Sequence, residues 1–248
     1  MFNKLIFKTL ADRTREKQKD YRNVVIIQVI IIVLGLTLTE PVLVDSKSQE
    51  SKLIISVFLL FSTTYMFLLW DLLRNFTDNR SLIITIFVVL SGIVVIGSLG
   101  EFPYYQILHV PDRRIYLLFL HGFLFPVELT VIGFTIRDIF SGGFLSPVKL
   151  WGAACVYLMI GISFGSLYDL ITIMRPGALG INVELGFPNY SECVRYSFSI
   201  LGGVDPGIDG TSHFIRNISV LEGIWGALYS MLIIGKLLGL PRPDNETK

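Results

Sequence analysis

The chemistry-bearing residues of this chain are sparse, and those with the most informative spacing lie near its C-terminal end. Gly202-Gly203-Val204-Asp205-Pro206-Gly207 interrupts two apolar stretches, with a further carboxylate at Asp209. Glycine reaches backbone conformations closed to other residues, while proline fixes its own φ and pushes the preceding residue toward extended geometry. The run is therefore expected to be non-helical. Irregular backbone between apolar segments is tolerated at membrane depth only where protein buries it or water lines it, so the loop suggests a cavity. Four more polar residues stand inside apolar runs: His121, Glu128, Asp169 and Glu222. An unpaired charge there is expensive, and each is expected to find a partner or face a wet surface.

Hydrophobic residues make up 52% of the 248, and charged residues only 17%. A single soluble core of this size does not absorb such a composition, and an all-α integral membrane protein is expected. Apolar runs long enough to cross a hydrocarbon layer fall at Val24 to Val44, Leu53 to Trp70, Ser81 to Gly100, Ile115 to Ile136, Val148 to Ile173 and Ile215 to Leu240. The expectation is six transmembrane helices with a re-entrant pore helix and loop between the last two. Four regions follow: a basic amphipathic N-terminal segment (1–23), a four-helix peripheral domain (24–147), a pore-like domain (148–240) and a tail (241–248).

Lys4, Lys8, Arg13, Arg15, Lys17, Lys19 and Arg22 precede the first span, and Arg74, Arg80, Arg137, Lys149, Lys236, Arg242 and Lys248 fall on the same side. The positive-inside rule then puts both termini in the cytoplasm of a multi-pass protein of the cell's inner membrane. Phe2, Leu5, Ile6, Phe7 and Leu10 suit a short helix at the inner membrane surface, or simply an N-terminal tail. A net charge of +1 gives no bulk attraction for nucleic acid. Cys155 and Cys193 form neither a disulfide framework nor metal-ligand spacing, and no Walker loop, dinucleotide fingerprint or catalytic triad pattern is present. Neither enzymatic activity nor a cofactor or metal is expected.

From Gly152 onward the chain resembles the pore unit of a bacterial potassium-channel-like family with six spans and a two-helix pore domain. The resemblance rests on Gly152 to Gly161, Phe164 to Leu170, Arg175-Pro176-Gly177, Tyr196-Ser197-Phe198 and Ile215 to Gly226. In such proteins the tyrosine, serine and phenylalanine end a pore helix, and a Leu-Glu-x-x-x-Gly segment like Leu221 to Gly226 opens the inner helix. The resemblance implies a homotetramer, since four loops close one ring. Residues 1–147 match only in hydropathy and span number.

The family's filter reads Thr-x-Gly-Tyr-Gly, with backbone carbonyls replacing the ion's water. Here Gly202 and Gly203 stand at the threonine positions, Asp205 at the first filter glycine and Pro206 at the tyrosine, and only Val204 and Gly207 keep the family identity. High potassium selectivity is expected to be lost, leaving a weakly selective pathway for monovalent cations with Asp205 and Asp209 around its mouth. The alternative is that Asp205-Pro206-Gly207 is a plain turn capped by Asp205, in a non-conducting receptor or assembly platform.

Glu222 is expected to bond behind the filter, to Ser197, Ser199 or a loop amide, or else to contact ions. His121 and Glu128 lie seven apart on one helical face and can pair with each other or with Asp169 across helices. The fourth span lacks a repeat of Arg or Lys, which argues against voltage sensing. Gating then falls to a ligand or partner protein at the cytoplasmic face, to the lipid bilayer or to tension, with Gly235 as the hinge. A gated, membrane-depolarising effector, as in bacterial antiviral defence, fits that description by analogy.

Overall fold

The computed structural model describes residues 10–37, 42, 45, 48–77, 79–104, 112–141 and 147–238. Phe2, Leu5, Ile6 and Phe7 of the N-terminal segment, and the 241–248 tail, lie outside the described residues. The described chain forms seven helices: α1 (Leu10–Thr37), α2 (Gln49–Arg74), α3 (Arg80–Glu101), α4 (Arg113–Phe140), α5 (Pro147–Met174), α6 (Phe187–Leu201) and α7 (His213–Leu238). No strand occurs among the described residues.

All but α6 are long and apolar enough to cross a membrane. The protein is accordingly a multi-pass membrane protein by length and composition. α1 runs unbroken across the 23/24 boundary drawn from the sequence, because neither Gly nor Pro separates Lys17 from Val24. From Lys17 onward it is packed: Tyr21 and Val24 are fully buried, and Lys17 bonds to Asp138 of α4 at 2.7 Å.

Helix starts are set by short polar side chains that accept the orphan amides of the first turn. Ser48 accepts from Ser51, Asn79 from Ser81 and Leu82, and Asp112 from Arg114 and Ile115. Polar contacts at the helix ends sort the bundle into two ends. At one, Asn75 donates to Asp20 at 2.7 Å, Trp70 to the Ile83 carbonyl at 3.3 Å, and Lys236 to the Ile139 carbonyl at 2.6 Å. At the other, here the far end, Arg113 reaches Glu101 at 2.9 Å and Glu184 at 3.4 Å.

α5 is the axis of the bundle and touches α1, α4, α6 and α7. In its most apolar window 61% of residues are buried, against 22% for α7, so α5 is a core helix and α7 is held along one stripe. That stripe comprises Ile215, Ser219, Glu222, Gly226 and Tyr229. Trp225, Leu228, Met231 and Leu232 on its other faces are more than half exposed.

The seam between α5 and α6 depends on Gly165, where an added Cβ would lie 2.7 Å from Val194 Cγ2 and 2.9 Å from the Val194 backbone. Backbone cannot swing aside as a side-chain tip can. Gly165→Val is expected to force α6 away and lower stability by about 1–3 kcal/mol. Gly133→Val, at an open position, serves as the control. Thermal unfolding of both variants in detergent checks this, and equal melting temperatures would refute the close-approach argument.

Candidate functional site

α6 lies antiparallel to α5, as a ladder of contacts records. Asn189 donates to Asp169 at 2.6 Å, Ser197 to the Gly161 carbonyl at 2.8 Å, and Tyr157 of α5 to the Leu201 carbonyl at 3.2 Å. Past Leu201 the chain turns. Gly202 and Gly203 amides bond to Phe198 and Ile200 carbonyls, and the Val204 amide to Ser199 at 2.9 Å. Residues 211–212 then meet the segment that follows α5, with the Ser212 amide on the Ala178 carbonyl at 2.8 Å and Thr211 Oγ1 on the Leu179 carbonyl at 3.1 Å.

Gly203 and Gly207 have φ of 67° and 65°, with open space where a Cβ would stand, and no non-glycine among the described residues has positive φ. The left-handed positions thus bracket Val204-Asp205-Pro206 and do not alternate through it. Asp205 Oδ1 accepts from the Gly207 amide at 3.0 Å, and Arg195 Nη1 from α6 donates to the Pro206 carbonyl at 3.3 Å. Glu192, one turn back, steadies that guanidinium through bonds of 2.9 and 2.7 Å. Gly202 to Asp205, Gly207 and Asp209 are exposed.

Behind the loop, Glu222 is fully buried. Tyr168 Oη donates to its Oε2 at 2.6 Å, and Ser197 Oγ bonds to its Oε1. One carboxylate therefore joins α5, α6 and α7. Of the partners the sequence named, Ser197 is the one in contact; Tyr168 was not foreseen. α7 begins at His213, so Leu221-Glu222 does not open that helix but lies more than two turns inside it.

A second polar network lies among α4, α5 and α6. His121 Nδ1 contacts Asp169 Oδ2, and Asn189 also reaches Thr172 Oγ1 at 2.7 Å. Glu128 does not join His121 directly; its Oε2 accepts from Ser163 at 3.1 Å. Tyr168 and Asp169, neighbours in sequence, serve different networks because consecutive helical residues point about 100° apart. Gly223 and Gly226 sit against Ile200 and Leu201 at the end of α6, whereas Gly235 meets nothing.

Residues that sequence reasoning passed over include Arg195, Tyr168 and Asn189. Only Arg195 carried a local signal, in its three-residue spacing from Glu192 on one helical face. Among the described residues no group of three His, Cys, Asp or Glu is arranged to hold a metal ion, and Cys155 and Cys193 are buried free thiols. Comparison with family models, with curated proteins and with solved structures yields no significant match.

The shared carboxylate predicts non-additive mutations. Tyr168→Phe and Ser197→Ala each leave a buried oxygen of Glu222 short of a hydrogen-bond partner, at about 1–3 kcal/mol. Because both act through one group, the double variant is expected to lose less than the sum of the singles. Unfolding midpoints of the three variants test this, and strict additivity would argue against a single brace.

Proposed function

We propose that this chain is one subunit of a homotetrameric membrane pathway for monovalent cations, weakly selective, with residues 202–207 at its mouth and Asp209 beside it. The observation that carries the reading is the exposed irregular backbone from Gly202 onward, level with the middle of α5. Leu201 bonds to Tyr157, which precedes the far end of α5 at Met174 by 17 residues (174 − 157), about 25 Å of helix. Residues 202–208 can span about 23–25 Å when extended, enough to return to the level of Ala178. A half-length helix and an irregular segment leading back from it are what a re-entrant hairpin would need. In hydrocarbon its exposed amides and carbonyls need either water or neighbouring copies, and a ring of loops around an axis supplies both.

The carboxylates of Asp205 and Asp209 favour cations over anions, while Pro206 and the non-alternating backbone disfavour the carbonyl ladder that strips potassium of water. Exposed apolar residues on α7 give subunits a surface on which to meet. The basic residues of the near end favour cytoplasmic termini in this reading. Gating by a cytoplasmic ligand or partner would make the assembly a depolarising effector.

A second reading has one specific observation in its favour: Asp205 is already engaged with the Gly207 amide as a turn cap. In that case the scaffold serves as a non-conducting receptor or platform.

Purified protein in planar bilayers separates the two. Wild type is expected to pass current with cation over anion preference, and Asp205→Asn to move the reversal potential toward that of a non-selective path. Silence under every trial of ligand, pH and voltage would sink the channel reading.

A further inference from the structure

Three membrane-length helices have termini together at the near end of the bundle: α4 stops at Phe140, α5 starts at Pro147, and the apolar part of α7 closes at Lys236. Two lysines from different helices converge there on the C-terminus of α4. Lys149 Nζ, from the first turn of α5, donates to the Ser141 carbonyl, and Lys236 Nζ, from the last turn of α7, donates to the Ile139 carbonyl at 2.6 Å. Lys236 Nζ also lies 5.1 Å from the centre of the Phe140 ring. Both lysines are partly exposed.

Their charge is not balanced by neighbouring carboxylates. Neither lysine forms an ion pair among the described residues. Asp138, beside those carbonyls in sequence, is taken by Lys17 at 2.7 Å and by Tyr21 at 3.0 Å. The 142–146 connection carries no charged residue. A helix C-terminus supplies about half a negative elementary charge, against two ammonium groups close enough to repel each other. A net positive charge is therefore left where three spans meet the headgroup layer, and each ammonium keeps donors beyond the one its carbonyl occupies. Apolar surface lies beside it. Leu232, one turn deeper than Lys236 on the same face of α7, is 57% exposed, and Phe140 is 36% exposed.

We propose that Lys149 and Lys236 bind the phosphate of an anionic phospholipid, with one acyl chain lying along Phe140 and Leu232. Bonds from ammonium to phosphate are charge-assisted, and a basic recess between membrane helices suits such a headgroup. The same two charges disfavour a zwitterionic lipid, whose own ammonium would be brought beside them. Asp244 and Glu246 in the tail are the competing source of negative charge. The site is separate from the 202–207 loop, and its failure would leave the pore reading untouched.

Titration of the full chain in detergent with dioleoyl phosphatidylglycerol and with dioleoyl phosphatidylcholine, followed by native mass spectrometry, provides the test. The anionic lipid is expected to bind at least about tenfold tighter, equivalent to about 1.4 kcal/mol. Lys149→Gln combined with Lys236→Gln is expected to erase that preference and leave phosphatidylcholine unchanged. Arg22→Gln, which removes an exposed charge from α1, is expected to retain it. Inorganic phosphate at equal concentration is expected not to displace the lipid, and Asp244→Asn with Glu246→Gln not to alter its affinity. Should the double lysine variant fail to fold, each single substitution is expected to reduce the preference by roughly threefold, about half of it in free energy. Equal affinity for the two lipids, or a preference that survives the lysine variants, would overturn the assignment. So would its loss in Arg22→Gln, which would mean bulk charge, or displacement by inorganic phosphate, which would mean a general anion site. A gain of about tenfold on neutralising Asp244 and Glu246 would give the lysines to the tail and overturn it as well.

Discussion

The close seam between α5 and α6 is the constraint on which the rest of the described structure depends. In a hydrocarbon medium there is little hydrophobic force between helices, so association relies on van der Waals contact and on hydrogen bonds between them. Gly161 and Gly165 remove the side chains that would hold α6 off, and the Ser197 hydroxyl then reaches the Gly161 carbonyl at 2.8 Å. Widening that seam would also separate Asn189 from Asp169 and Tyr157 from Leu201, because the same register serves every contact along it.

From that seam the polar interior divides into two systems with different characters. Glu222 is surrounded on both oxygens and joins three helices, which makes it a brace for the segment from which the 202–207 loop departs. The network around Asp169 draws in Asn189 of α6, which also reaches Thr172 of α5, and His121 of α4. A satisfied network rigidifies the helices that it joins. The same α5 helix thus carries one polar centre on the face of Tyr168 and another on the face of Asp169.

α7 adds a third element to this division. Its single packed stripe leaves most of its apolar surface uncovered, in contrast to α5. Lipid can cover side chains such as Met231 and Leu232, whereas exposed backbone such as that around Gly203 and Gly207 would need water or protein if it lay at membrane depth. Arg195 covers part of that demand by holding the Pro206 carbonyl, and the rest of the loop stays exposed in the single chain.

Much of the fold was legible in the sequence, because hydropathy and helix length act locally along the chain. The six spans follow from runs of about twenty apolar residues, and the break after Leu201 follows from Gly202-Gly203 and Pro206. The continuity of α1 through Tyr21 was harder to read, since charges on one side of a helix mask the stripe packed on the other. The presence of intramembrane His121, Glu128, Asp169 and Glu222 was equally plain, and so was the need of each for a partner. Which partner each takes was not: spacing allowed His121 to meet Glu128 or Asp169, and no local pattern pointed Tyr168 toward Glu222. Those choices depend on how each helix is rotated about its own axis and how deep it sits beside its neighbours. Only the packed tertiary structure sets that rotation and depth, because the close approach at Gly165 fixes the register between α5 and α6.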